Sequence, residues 1–303
     1  MDGFADLGLS KPVREALEHM GYEAPSPVQT QTIPLQLEGK HVIAQALTGT
    51  GKTAAFGIPM AERIDPATKK PQAMVLTPTR ELAIQVAGEI SRIGHQRGIC
   101  VLPIYGGQPY DRQLRVIRQG VHVVVATPGR LLDLLNRGAL KLDSVGMLVL
   151  DEADEMLNMG FLEDVETIIS RLPDKRQTAL FSATMPRPIV ELARKHMSDP
   201  RRVVLSKPEQ LAPPEITQYA YEVPRPYKTE ALARLLDLKN PELALVFCAT
   251  KRMVDDLAEE LQGRGYRTEA IHGDLSQPQR ERVIGNARRG KLDVLVATDV
   301  AAR

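Results

Sequence analysis

Two short segments of this 303-residue chain carry residue types suited to phosphate chemistry. The first, AQALTGTGKT at 44–53, follows the apolar run HVIAQ and opens a helix-like stretch, the setting a phosphate-binding loop needs. Gly49 and Gly51 let backbone N–H groups curl toward anionic oxygens with no Cβ in the way. Lys52 offers a charge to the terminal phosphates, Thr53 offers a hydroxyl to Mg²⁺, and the helix N-terminus adds its dipole. Thr48 and Thr50 belong to the same nucleotide-binding loop, and Ala46 stands where the strict pattern has its first glycine. The simpler alternative is a glycine-rich turn that starts an ordinary helix; the adjacent Lys-Thr pair argues against it. The second segment, VLDEAD at 149–154, closes another apolar run. Asp151 is placed where a strand-end carboxylate would hold Mg²⁺ through water, and Glu152 where it can orient a water and accept its proton. Alone, two carboxylates after a strand also fit a solvated helix start. Together with the loop at 46–53 they point to binding and hydrolysis of ATP.

The elements that must position these residues are short β-branched runs alternating with amphipathic stretches. HVIAQ (41–45), AMVLT (73–77), HVVVAT (122–127), GMLVLD (146–151) and TALFS (178–182) are nearly continuous in apolar residues, as parallel strands covered on both faces are. Helices are expected between them, for example over 80–94 and 187–197. This alternation predicts an α/β fold with open parallel sheets. Around KPEQLAPP (207–214) periodicity is lost and proline concentrates, which marks an interdomain linker. The alternation then resumes with LALVFC (243–248), a helix from about Lys251 to Leu261, TEAIH (268–272), a helix near 278–288 and DVLVAT (293–298). The expected division is a first domain over 1–206, a linker over 207–214 and an incomplete second domain over 215–303. An incomplete sheet leaves an unpaired edge, a liability for folding.

Bulk composition narrows the class further. With 43% hydrophobic and 25% charged residues the chain is an ordinary globular one. Its 39 Lys+Arg against 38 Asp+Glu give a net charge of +1, so nucleic acid would be held by a few placed groups and not by a basic surface. Cys100 and Cys248 lie in apolar runs and read as buried core residues, ahead of a disulfide or a metal site. With no signal-peptide pattern at MDGFADLGLS and no membrane-spanning apolar run, the expectation is a soluble, cytoplasmic protein with no membrane partner.

The string Asp151-Glu152-Ala153-Asp154 is the one for which DEAD-box helicases are named, and other segments resemble that family's motifs in order. Phe4, Gly21-Tyr22, Pro25, Pro27 and Gln29 resemble its adenine-reading Q motif: an amide can pair with both edges of adenine and an aromatic can stack on it. Pro78-Thr79-Arg80-Glu81-Leu82, Gly106-Gly107 and Thr127-Pro128-Gly129-Arg130 resemble RNA-contacting segments. Each follows a predicted strand, so all would emerge on one sheet edge. Helix capping is the plainer role for TPGR. Ser182-Ala183-Thr184 resembles the motif that couples ATP state to strand separation, with hydroxyl bonds expected to Asp154; an N-cap role for Ser182 or Thr184 fits equally. In the second domain the segments 246–250, 272–274, 277–280 and 296–303 resemble later motifs and supply Thr250, Gly273, Gln277, Arg280 and Thr298 as RNA-side candidates. Ala287 departs from the family's phenylalanine there.

The resemblance implies two RecA-like parallel-sheet domains in tandem, the second incomplete, that use ATP and Mg²⁺ to separate RNA strands locally. Closure around ATP and RNA would assemble the site, and contacts to ribose 2′-OH groups would distinguish RNA from DNA. The catalytic set would be Lys52, Asp151, Glu152, Asp154, Ser182 and Thr184. A monomeric core is the family's default. The arginine-rich motif that supplies the arginine finger would fall after Arg303, so the chain as it stands is expected to be impaired. A DNA-directed helicase, an RNA clamp with poor turnover, and a chain that only binds nucleotide are the other readings compatible with these motifs.

Overall fold

The computed structural model describes residues 3–205 and 217–298, apart from the side chain of Gln277. The expected linker at 207–214 and the segment Asp299–Arg303 lie outside the described residues. The chain divides into two compact units, Met1–Pro213 and Pro214–Arg303.

Unit 1 opens with α1 (Lys11–His19) and α2 (Pro27–Leu37), followed by β1 (Val42–Gln45), α3 (Lys52–Arg63), β2 (Ala73–Leu76) and α4 (Arg80–Ile93). It continues through β3 (Val101–Ile104), α5 (Tyr110–Gln119), β4 (Val123–Ala126), α6 (Pro128–Asn136), β5 (Met147–Asp151), α7 (Ala153–Asn158) and α8 (Leu162–Ile169). It closes with β6 (Gln177–Ser182), α9 (Arg187–His196) and β7 (Arg201–Val204). The strands form one sheet in the order β3-β4-β2-β5-β6-β1-β7, all pairs parallel. The five expected strands and both named helices are present. Two strands were not foreseen, and both are edges. β3 contains Pro103, whose missing N–H is tolerated only where one side of the strand is unpaired. β7 reads Arg-Arg-Val-Val and buries Val203 alone, so it lacks the apolar run that betrays a central strand.

Side chains alternate across the sheet. Val42, Ala44, Val75, Val125, Val149 and Phe181 enter a core with α1 to α4, whereas Ile43, Leu76, Val124, Leu148, Leu150 and Leu180 enter a second core on the other face with α6, α8 and α9. α2 is tied to α3 at its far end by buried amides. Gln36 Nε2 donates to Ala55 O (2.8 Å), and Gln177 Nε2 donates to Gln36 O (3.0 Å) and Lys40 O (2.7 Å). Arg63 donates to Gln177 Oε1.

Unit 2 holds α10 (Lys228–Lys239), β8 (Ala244–Cys248), α11 (Lys251–Gly263), β9 (Thr268–Ile271), α12 (Gln277–Arg288) and β10 (Val294–Thr298). Its three strands run parallel in the order β8-β10-β9. α11 packs on one face and α12 on the other, where Ala287 sits against Ile271, Val283 and Leu295. On β8, Leu245 and Phe247 stay 57% and 53% exposed, so this face is left uncovered among the described residues.

The cysteines need a correction. Both are free, as expected, but Cys100 and Cys248 are only partly buried, at the margins of their clusters, because each lies on or beside an edge strand. No described helix is long and apolar enough to cross a membrane.

Candidate nucleotide site and strand-end edge

Three strand ends that are neighbours in the sheet, β5, β6 and β1, present the phosphate loop, the Asp-Glu-Ala-Asp string and Ser182-Ala183-Thr184 side by side. The loop turns through positive φ at Gly49 (82°) and Gly51 (88°), where a side chain would be strained, and then enters α3 at Lys52. Thr50 Oγ1 closes the turn by donating to Leu47 O (2.8 Å), Ala46 N donates to Ser182 O (3.0 Å), and Thr48 is exposed. Thr53 is half-buried on the first helical turn. Lys52 is 6% exposed, and its Nζ has no hydrogen-bond partner among the described residues. A buried ammonium without a hydrogen-bond partner is costly, and the oxygens of an anion could supply one there.

Asp151 is 2% exposed at the end of β5. Burial pushes its carboxyl up to about 7, with Lys52 pulling the other way, Glu152 pushing further, and the Glu152 N–H to Asp151 Oδ1 bond (3.1 Å) lowering it. Burial likewise raises the Glu152 carboxyl, opposed by Lys52 and reinforced by Asp154 and Glu155. Glu152 adopts a left-handed backbone (φ 52°) as it caps α7, which turns the chain sharply between the two acids. Burial also acts to raise Asp154, but hydroxyl bonds from Thr184 and Ser182 outweigh it and hold that carboxyl below its ordinary value. Thr184 Oγ1 (2.7 Å) and Thr184 N (2.9 Å) both donate to Asp154 Oδ2. Ser182 Oγ in addition accepts the Asp154 backbone N–H (3.1 Å), so it also serves as a cap.

The raised Asp151 has a measurable consequence. An acid whose folded pKa exceeds its unfolded one destabilises the fold as pH rises through the interval between them. The ligand-free chain is therefore expected to lose on the order of 3 kcal/mol relative to Asp151→Asn between about pH 4 and pH 7. Urea unfolding of both proteins across that window measures the difference, and parallel curves would contradict it.

The Q-like segment abuts the loop from below. Gln29, 2% exposed on α2, accepts Ser26 N–H at Oε1 (2.9 Å) and donates through Nε2 to Gly51 O (3.0 Å). Two of its four hydrogen-bonding positions are thus used internally, leaving one N–H and one lone pair, the count an adenine edge requires. Ser26 Oγ donates to Thr50 O (2.8 Å), a contact the sequence reading missed although the Ser26-x-x-Gln29 capping-box pattern was available to find it. Phe4 lies in the core at 8% exposure, edge-on to Tyr22 (centroids 5.9 Å apart), and Tyr22 OH donates to Glu89 Oε1 on α4 (2.8 Å).

The other strand ends, β2, β4 and β3, carry the remaining segments on the same edge. Thr79 caps α4, its Oγ1 accepting Leu82 N–H (3.3 Å), beside buried Pro78. Arg80 lies over the Tyr105 ring (5.5 Å) and against Gly107, where an added Cβ would sit 2.5 Å from its Nη2. Thr127 caps α6 without a side-chain bond, followed by buried Pro128 and exposed Gly129. Arg130 is turned inward: it donates to Gln108 O (2.9 Å) and Gln113 Oε1 (3.1 Å) and stacks on Tyr110 (3.5 Å), bracing the loop that begins at Gly106. In unit 2, Thr250 caps α11 and accepts Met253 N–H (3.2 Å), Gly273 is exposed beside Lys251, Arg280 is half-buried on α12, and Thr298 is buried at the end of β10. The Gln277 side chain is outside the described residues.

Residues 26–192 match the family model for the DEAD/DEAH box helicase, and 227–303 match that for the helicase conserved C-terminal domain. The chain belongs to the DEAD/DEAH box helicase family. It is 54% identical over 303 residues to the DEAD-box ATP-dependent RNA helicase CshA of Geobacillus kaustophilus, covering all of this chain and 65% of that protein. It is 51% identical over 300 residues to CshA of Bacillus subtilis, covering 99% of this chain and 60% of that one. The chain thus spans less than two thirds of the length of these relatives. Among solved structures, yeast Dbp5 bound to RNA and ADP BeF3 matches with a TM-score of 0.90 and 31% identity, covering 100% of this chain and 77% of that one. A DEAD box protein from Methanococcus jannaschii matches at 0.66 and 43%, covering 100% and 82%. Two parallel-sheet units of this kind are the tandem RecA-like architecture expected of a DEAD-box helicase.

Proposed function

We propose that this helicase-family chain is the core of an ATP-dependent RNA helicase, which hydrolyses ATP to separate RNA strands locally. The observation that carries the reading is the arrangement of one carboxyl edge: phosphate-binding residues occupy β5-β6-β1, and backbone-donor loops occupy β3-β4-β2 beside them. The loop residues Ala46 to Thr53, with the orphaned Lys52 Nζ, fit a nucleotide triphosphate, and Gln29 has the free positions to read its base. Thr53 and Asp151 are the residues that would hold Mg²⁺, which when bound neutralises phosphate charge. Glu152 orients the attacking water and takes its proton. Asp154, fixed by Thr184, ties that site to the Ser182-Ala183-Thr184 segment. Thr79, Arg80, Gly106, Gly107, Thr127 and Gly129 would meet an RNA backbone in unit 1, with Arg130 as a brace; Thr250, Gly273, Gln277, Arg280 and Thr298 would do so in unit 2. The domain division at 206 and 215 with a linker over 207–214, and a monomeric core, belong to the same proposal.

The test is ATP turnover by the chain, and by a version extended through the full length of its relatives, with single-stranded RNA, single-stranded DNA or neither. Stimulation by RNA above DNA is expected, more strongly in the extended protein. Equal stimulation by DNA, or none by either in the extended protein, would overturn the RNA-helicase reading.

A further inference from the structure

The net charge of +1 conceals an uneven distribution of cations. Several basic side chains face carboxylates, among them Arg187 with Glu191, Lys195 with Glu166, Arg234 with Glu230 and Arg264 with Glu260, while others stand singly. α5 is different. Its core side carries Gln113, Leu114 and Ile117, and its outer side carries Arg112, Arg115 and Arg118, all exposed. Among the described residues none of these three comes within 4 Å of a carboxylate, although Asp111 shares their face. Lys69 packs against Gly120 just past the end of the helix and extends the stripe. Beside it runs a groove of ≈ 610 Å³ between α5 and the end of α6, lined by Tyr110, Asp111, Arg118 and Arg137, the last already paired with Asp133.

We propose that the α5 arginines form an additional RNA-backbone site, on the outer side of unit 1, that takes up the strand as it leaves the strand-end edge. This rests on the RNA reading above. Continuity selects RNA as the occupant. α5 starts three residues after Gly107, at the end of β3, and runs away from that edge along the border of the sheet. Arg112 to Arg118 span about 9 Å of helix axis, which matches two to three phosphates at ~3.4 Å per stacked nucleotide. Spacing at i, i+3 and i+6 keeps the guanidinium groups on one side, and five N–H donors each suit phosphate oxygens. Such contacts carry no base identity and add affinity in proportion to counterions released.

The test is fluorescence-anisotropy binding of a 20-nucleotide single-stranded RNA at several salt concentrations, to the wild-type chain, R112Q/R115Q/R118Q and R112K/R115K/R118K. The Gln variant is expected to bind more weakly at low salt, with the slope of log K against log salt reduced by about 2, at ~0.7 per phosphate contact. The Lys variant is expected to recover that slope, and nucleotide affinity without RNA should be equal in all three. Should the wild type bind no RNA, either as this chain or in the version extended through the length of its relatives, the RNA reading fails and this site with it. Should the wild type bind but the Gln variant match it in affinity and slope, this site alone is overturned; an acidic protein segment as the true occupant would give that result. A Gln loss that Lys does not recover would also overturn it, since charge would not be the cause.

Discussion

Glu152→Gln is expected to lower ATP turnover by about 10²- to 10⁴-fold while leaving ATP affinity within a few fold of wild type, the usual size of a general-base contribution. The amide keeps the volume of the carboxylate and so preserves the left-handed turn into α7. Asp151, Lys52 and the glycine loop are untouched, so the anion site persists. What disappears is the proton acceptor, whose affinity for a proton is already enhanced by burial. Single-turnover hydrolysis beside equilibrium binding of a fluorescent ATP analogue separates the two quantities. Turnover within threefold of wild type would remove Glu152 from the role of base.

Gly51→Ala is the second large effect, and its physics is unlike the first. The residue sits at φ 88°, where a Cβ costs about 1–2 kcal/mol in backbone strain alone. Its Cβ would also stand 2.5 Å from Gln29 Nε2 and 3.1 Å from Ser26 Oγ. Gln29 cannot retreat freely because its amide is held by Ser26 N and Gly51 O. The expected result is a loss of roughly 10- to 100-fold in ATP affinity, from a penalty of about 1–3 kcal/mol at the loop. Gln29→Ala costs affinity by itself but removes the clash in the double variant, which should therefore lose less than the sum of the two single losses, a coupling between the two sites. Additive losses would show that the clash is relieved elsewhere.

Much of this was legible in the sequence because the central strands of a parallel sheet are buried on both faces and cannot hide their apolar runs. Loops at the ends of such strands are then placed on one edge by topology alone, which is why the phosphate loop and the acidic string could be paired from 100 residues apart. The edges escaped for the opposite reason: Arg201 and Arg202 in β7 and Pro103 in β3 are permitted only because one flank has no neighbour. Contacts that cross between segments escaped as well. Nothing in the neighbourhood of Tyr22 announces Glu89 as its partner, and Arg130 reads as a free cation until Gln108, Gln113 and Tyr110 are seen around it. The local pattern Ser26-x-x-Gln29 was visible, but its attachment to Thr50 and Gly51 depends on how α2 lies against α3.

With Gln29 reading the base as proposed, that attachment would make base identity and loop posture a single thermodynamic system. Gln29 spends one N–H on the Gly51 carbonyl and has another N–H to offer a ligand. Anything that draws its amide toward a base tugs on the carbonyl two residues before Thr53, and anything that reshapes the loop moves the amide. Linkage requires the two influences to be equal in size: if phosphates in the loop sharpen the choice of adenine over guanine by some factor, adenine strengthens the grip on those phosphates by that same factor. Discrimination between purines is then a property of the whole triphosphate, and it should fade as phosphates are cut away to the bare nucleoside.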